Sequence, residues 1–311
     1  MIEILDPGPQ TTVQDLGRFG QLRYGIPPSG PVDGFAFVLA NRLVGNPDGA
    51  AGLECTLVGP RFEVGASCAV AVAGADMPVT VNGREAPGWT TLVLGPGDVV
   101  KLGPARSGVR SYVAFSGGLE CPLVMGSRST YLRGQLGGLE GRALRKGDRL
   151  RITAAPPPPR WRVARRAVPD YTGEPTVRVV LGPQADRFTK EGIGALLESA
   201  YAMLPQSDRM GARLSGARIT HSRGHDIISD GIALGSIQVP GDGQPIVLLV
   251  DRQSTGGYTK IATVCSFDVG RVGQLRPGQS LRFRAVTVHE ARRLLCLADA
   301  VLEAGLREEI A

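Results

Sequence analysis

A mainly β chain of two domains with a few short helices is what this sequence predicts, and three observations predict it. Glycine (43) and proline (23) are abundant in the 311 residues while Leu, Val and Ile stay plentiful, a composition that suits many short strands joined by tight turns. Val79-Thr-Val-Asn-Gly-Arg84 sets Asn-Gly between two β-prone runs, a signal for a two-residue hairpin. Finally, one pattern occurs three times: Leu94-Gly-Pro-Gly-Asp-Val-Val-Lys-Leu102, Leu144-Arg-Lys-Gly-Asp-Arg-Leu-Arg-Ile152 and Leu275-Arg-Pro-Gly-Gln-Ser-Leu-Arg-Phe283. Each puts glycine and then Asp or Gln in a turn ahead of an alternating strand. The last two copies fit two related β-domains that finish alike, although Gly-rich turns also resemble one another by chance. The proline run 156–159 between them is the natural boundary, giving domains 1–158 and 159–311.

The clearest β territory is 62–116, where Val109 to Phe115 alternates as a half-buried strand does. Three helices are expected. Asp33 to Val44 carries Phe35, Val38, Leu39 and Leu43 on one face, with Asp33 as its N-cap, and stops at Gly45-Asn46-Pro47. Residues 186–199 form the second. The last begins at Thr287, which makes a capping box with Glu290, and its stripe is Val288, Ala291, Leu295, Ala298 and Leu302. That stripe suits packing on a barrel or a partner better than on a membrane.

Composition excludes several classes. Aromatics are only 5%, too sparse for a platform that stacks single-stranded nucleic acid. The net charge of +6 comes mostly from scattered arginines. Their densest cluster, Arg160, Arg162, Arg165 and Arg166, reads as a solvated linker without a nucleic-acid motif; the basic balance also suits anionic substrates or an acidic partner. The cysteines, Cys55, Cys68, Cys121, Cys265 and Cys296, make no CxxC pair, so neither a disulfide framework nor a zinc ribbon is expected. His221 and His225 are four apart but interrupted by Gly224 and lack a third ligand, so no metal is expected there. No stretch reaches the ~18 apolar residues of a membrane span. No basic start with a long apolar run marks a signal peptide, and a reducing cytoplasm is the expected compartment.

Candidate chemistry concentrates in three segments. Pro245-Ile-Val-Leu-Leu-Val250 does not alternate and reads as a strand buried on both faces, ending in Asp251, Gln253 and Gly256-Gly257-Tyr258. Polar groups at the end of a rigid strand suit a site, and equally a capped turn. Ser207-Asp-Arg209-Met-Gly-Ala-Arg213 offers two guanidinium groups that can clamp a carboxylate or stabilise developing negative charge; the alternative is an ion pair with Asp208 or another acid. Gln14, Asp15 and Arg18 either line a site or fasten a long loop from within, and the second role is favoured. No Walker-type loop is present, Gly256-Gly257-Tyr-Thr-Lys260 being too short, and no G-x-S-x-G appears.

Taken together these segments resemble one family. Thr12-Val-Gln-Asp-Leu-Gly-Arg18, Ser29-Gly30, Asp33, Ala40-Asn41-Arg-Leu-Val-Gly-Asn46 and Leu53-Glu54 match its N-terminal signature. Ser207 to Gly216, Gly235-Ser-Ile-Gln238-Val-Pro240 and Asp251 to Tyr258 match its C-terminal one. The family is that of the biotin-dependent carboxyltransferases and the C-type subunits of 5-oxoprolinase, also called allophanate hydrolase subunit 2-like. Pro31-Val32 and Thr259 depart from the usual pattern and bear on loop shape.

The resemblance implies two cyclophilin-like β-barrel domains. It also implies the C-type subunit of an ATP-dependent 5-oxoprolinase, working with A-like and B-like 5-oxoprolinase partner proteins on a small amide. ATP is then held by the complex, not necessarily by this chain. The alternatives it implies are a carboxyltransferase component acting on urea or a related amide, and a regulatory protein that binds a B-like kinase inhibitor. The chain has no Ala-Met-Lys-Met biotin-attachment sequence, so no biotin is expected on it. Within this reading Arg209, Arg213 and Gln238 are expected to stabilise negative charge on an amide. Asp251 is expected to orient the amide N–H or to act as base, and Tyr258 to position it. Gln14, Asp15, Arg18, Ser207, Gln253, Gly256 and Gly257 are expected to contact substrate.

Overall fold

The computed structural model describes residues 1–156, 158–303 and 307–310; Pro157, inside the proline run, lies outside them. The chain forms two compact units, one of residues 1–19, 28–171 and 302–311, the other of residues 20–27 and 172–301. The first therefore continues past the prolines to Tyr171. One reason is that Trp161–Val163 pairs antiparallel with Arg307–Glu309.

The first unit packs two sheets against each other. A seven-stranded sheet runs in the order Leu119–Glu120, Arg149–Ile152, Ile2–Asp6, Arg61–Val64, Val99–Leu102, Val79–Val81 and Arg84–Ala86. A five-stranded one runs Gln10–Gln14, Gly52–Thr56, Ser107–Phe115, Cys68–Asp76 and Thr91–Leu94. Ile2, Ile4, Leu53, Phe62, Val70, Val113 and Phe115 fill the core between them.

Alternation along Cys68–Asp76 explains what covers the other face of the smaller sheet. Cys68, Val70 and Val72 enter the inter-sheet core, while Ala69, Ala71 and Ala73 meet helix α1, Gly34–Leu43, through Phe37, Leu39 and Ala40. Alanine on that face leaves room for a helix to lie close to the strand. Phe37 and Tyr112 meet edge-to-face with ring centroids 5.8 Å apart, a favoured geometry for aromatic pairs. Asp33 caps the helix as expected, its Oδ1 accepting from the Ala36 N–H at 3.2 Å.

The second unit is a closed barrel in the order Thr176–Leu181, Lys260–Val264, Ser236–Gln238, Ile246–Leu248, Gly211–Gly216, Ala200–Met203 and Ser280–Ala285. Its first and last strands are paired in parallel; the rest pair antiparallel. A separate two-stranded ribbon joins Asp226–Gly231 to Thr255–Tyr258. Helix α2 is Lys190–Glu198, preceded by a single 3-10 turn at Ala185–Arg187, so the regular helix starts later than the apolar pattern suggests. Helix α3, Ser266–Gly273, lies outside the three expected helices, because two glycines in eight residues hide its period. It is seated by Asp268, wholly buried, whose carboxylate accepts from Arg178 Nε at 2.6 Å. Helix α4 spans Val288–Glu303, and the Glu290 N–H donates to Thr287 Oγ1 at 3.1 Å as the capping box requires. Its half-buried stripe is Ala291, Leu294, Ala298 and Leu302, with Leu295 on the exposed side. Among the described residues, no helix is long and apolar enough to cross a membrane.

The threefold sequence echo is one turn built three times. Gly97, Gly147 and Gly278 have φ of 85°, 87° and 86°, left-handed values that glycine adopts without a Cβ penalty. The residue after each glycine reaches back three positions. Asp98 accepts from the Gly95 N–H at 2.8 Å, Asp148 from Arg145 at 2.7 Å and Gln279 from Arg276 at 2.8 Å. The glycine N–H then docks on a neighbouring carbonyl, of Val64, Ile4 or Met203 respectively. The Asn-Gly hairpin is likewise formed, with φ of 52° at Asn82 and 78° at Gly83, the pair of positive values a type I′ turn demands.

Candidate functional site

The strand Ile246–Leu248 delivers Asp251 to a turn, as the sequence suggests, but the carboxylate meets another protein group there. Arg209 Nε lies 2.8 Å from Asp251 Oδ2 with both side chains 6% exposed. The Asp251 N–H also donates to the Arg209 carbonyl at 2.9 Å. This is the ion-pair alternative that the sequence leaves open for Arg209, and the pair ties the turn at 204–211 to the strand end. Arg213 does not join them. It sits on Gly211–Gly216 with an exposed side chain, so the two arginines do not converge. Ser207 Oγ accepts from the Arg213 N–H at 3.0 Å and donates to Met203 Sδ, which organises the turn.

Gln238 is different. It is 2% exposed, Gln253 Nε2 donates to its Oε1 at 3.4 Å, and its Nε2 has no hydrogen-bond partner among the described residues. A buried amide N–H left unmade costs about 1–3 kcal/mol, so such a group calls for an explanation. Gly256 packs directly against it: a Cβ there would lie 2.6 Å from Gln238 Nε2 and 2.7 Å from Ile232 Cδ1. Gly257 has only an ordinary 3.4 Å approach to the Ile227 carbonyl. Tyr258 lies at the ribbon end, 42% exposed, its ring 6.2 Å from that of His225.

Three further polar residues gather here, outside the set the sequence singles out. Lys260 and Gln238 are register partners on adjacent barrel strands at a register irregularity, and both side chains meet the ribbon, Gln238 at Gly256 and Lys260 at Asp230. Lys260 Nζ lies 3.1 Å from Asp230 Oδ2, and its N–H donates to Gln184 Oε1 at 3.0 Å. Asp230 in turn is the register partner of Gly256 in the ribbon. The hydrogen bond from Lys260, with a second from the Gly231 N–H and the attraction of the ammonium, holds the Asp230 carboxyl below its usual value. The signal in the sequence is a lysine inside a strand, at the end of a segment too short for a phosphate loop. Nearby, His221 Nε2 is 3.1 Å from the Val239 carbonyl and 3.0 Å from Thr259 Oγ1. Burial pushes its imidazole below the ordinary value against that carbonyl bond, and His225 and Arg218 push the same way.

In the first unit Gln14, Asp15 and Arg18 pin a loop. Gln14 Nε2 donates to Thr12 Oγ1 and to the Thr130 carbonyl, and its Oε1 accepts from the Gly30 N–H. Asp15 accepts from Ser127 Oγ and Ser129 Oγ at 2.6 Å each and from the N–H groups of Arg128 and Gly17. Burial opposes its charge, yet these bonds outweigh it and hold the carboxyl below the usual value. Arg18 donates to the carbonyls of Val124 and Ser129. These bonds fasten the loop from within. A surface cleft of about 410 Å³ in this unit, lined by Gln135, Glu140 and Arg142, holds none of the candidate residues. Its Arg142 is already bound to Glu140 and Asp148.

Known proteins share this architecture. The family model for the carboxyltransferase domain, subdomain A and B, matches residues 24–285. The chain is 37% identical over 293 residues to the 5-oxoprolinase C subunit of Escherichia coli, covering 94% of this chain and 93% of that protein. It is 33% identical over 294 residues to the 5-oxoprolinase C subunit of Haemophilus influenzae, covering 94% of each. The crystal structure of Kluyveromyces lactis urea carboxylase superposes on all of it with a TM-score of 0.92 at 31% identity, although the match spans only 30% of that longer chain. A family match over most of the chain, near-complete relatives and the barrel with its polar ribbon lead to one assignment: the chain belongs to the carboxyltransferase domain (subdomain A and B) family.

Proposed function

We propose that this chain is the C subunit of a 5-oxoprolinase, which opens 5-oxoproline to glutamate with ATP and acts together with partner proteins. End-to-end similarity to two proteins of that name supports the assignment. The observation that carries the chemistry is Gln238, a buried amide donor with its N–H unpaired. Opening a cyclic amide builds negative charge on the amide oxygen, and a fixed donor in a site without water stabilises that charge strongly. Gln253 orients Gln238, Gly256 gives it room, and the Arg209–Asp251 pair fixes the turn that leads to both. Tyr258, half exposed at the ribbon end, is placed to meet the substrate as it enters.

In this reading ATP is held by the complex, and residues 256–260 of this chain are not its phosphate loop. Residues 256–260 lie in the ribbon and a barrel strand, not in a loop opening onto a helix N-terminus of the kind that cradles phosphates. Reconstitution with the companion proteins tests the proposal. ADP release that depends on 5-oxoproline is the expected result. Carboxylation of urea from carboxybiotin without such release would assign a carboxyltransferase role, and tight association with neither activity would assign a regulatory one.

A further inference from the structure

The Lys260 ammonium is sealed in the wall of the second unit, 2% exposed, yet its acidic partner Asp230 has a side chain 56% exposed. That asymmetry is unusual for a structural ion pair. Burying an ammonium is costly, and a partner meant only for stability would be expected to share the burial. Asp230 belongs instead to the ribbon outside the barrel, where its neighbour Ile228 is 95% exposed and the register slips between Asp226 and Asp230. Beside Lys260 stands the unpaired Gln238 N–H. Two donors, one cationic and one neutral, thus face a ribbon that supplies a carboxylate to just one of them.

The geometry points to a carboxylate-binding site at Lys260 Nζ, beside the Gln238 amide, in which Asp230 occupies the place of the ligand's carboxylate until the ribbon moves. Resting on the proposed function, the ligand is the carboxylate of 5-oxoproline. Lys260 then binds the charged end of the substrate while Gln238 reaches its ring amide. Asp230 acts as an internal competitor that keeps the ammonium paired when the site is empty. No covalent step is involved; one carboxylate replaces another.

This arrangement predicts effects of opposite sign from the two halves of one ion pair. In the reconstituted complex, Lys260→Met raises the KM for 5-oxoproline at least tenfold, with Lys260→Arg recovering part of the loss. Asp230→Asn, which removes the competitor from an exposed ribbon, lowers the KM by about threefold or more. A purely structural pair would raise KM, or lower stability, from either side. An unchanged or raised KM in Asp230→Asn, in a complex that does turn over 5-oxoproline, overturns this inference and leaves the assigned activity standing.

If the wild-type complex shows no turnover of 5-oxoproline, the activity assignment falls and the site is read directly with acetate. Titration of the labelled chain then moves the Gln238 side-chain amide resonance at a lower acetate concentration in Asp230→Asn than in wild type. No movement in either protein overturns the site itself.

Discussion

Arg209 and Asp251, forty-two positions apart in sequence, close on each other at 2.8 Å in a buried ion pair. Removing Arg209 leaves the buried Asp251 carboxylate without its cation, and removing Asp251 takes the carboxylate from the buried Arg209. Arg209→Ala and Asp251→Ala are each expected to lower the unfolding free energy by about 3 kcal/mol, and the double variant by clearly less than the sum. Denaturant titration of the four proteins measures this. If a single variant kept its stability while the complex lost activity, that residue would belong to the reaction after all.

Gly256 tests the packing around the unpaired amide. Alanine there drives a methyl group into Gln238 Nε2 and Ile232 Cδ1, and overpacking of this kind costs about 1–3 kcal/mol. The expected result is a folded chain with a displaced Gln238 and reduced kcat/KM. Gly257→Ala, where the nearest atom stands at 3.4 Å, is expected to be milder on both counts.

The repeated turn isolates a single backbone cost. Around Gly97, Gly147 and Gly278 a Cβ would meet nothing within 4 Å, yet each has φ near +86°. Alanine at any of the three is therefore expected to cost about 1–2 kcal/mol from the left-handed conformation alone. Three closely matching losses of unfolding free energy would verify that the turns are equivalent, and a negligible loss at one of them would show that its turn relaxes.

Asp15 links stability to pH. Its folded carboxyl titrates below the usual 3.8, so the unfolded chain binds the proton more readily. The stability it contributes is present above that unfolded value and is lost as pH falls through the lower folded one. Removing the Ser127 and Ser129 hydroxyls (Ser127→Ala, Ser129→Ala) takes away two of the bonds that hold the charge. Acid unfolding should then begin at higher pH, and an unchanged acid transition would mean that the backbone N–H groups suffice.

Much of the fold was legible because local chemistry and tertiary demand agree. Asn82-Gly83 makes its hairpin, Asp33 and Thr287 cap their helices, and the glycine turns recur. Helix α3 was not, since its glycines erase the period and its place depends on Asp268 meeting the distant Arg178. The site divided in the same way. Gln238 and Gly256 could be picked from their segments, but Asp251 finding Arg209, and Asp230 finding Lys260 across a ribbon, are long-range pairings that no local pattern encodes.

The central claim is that Gln238 stabilises charge on the amide of 5-oxoproline, and steady-state ADP release by the reconstituted complex with Gln238→Ala tests it most directly. Loss of one such hydrogen bond in the transition state should lower kcat/KM by at least about tenfold, with assembly of the complex unchanged. A Gln238→Ala complex that releases ADP in response to 5-oxoproline as fast as wild type would contradict it.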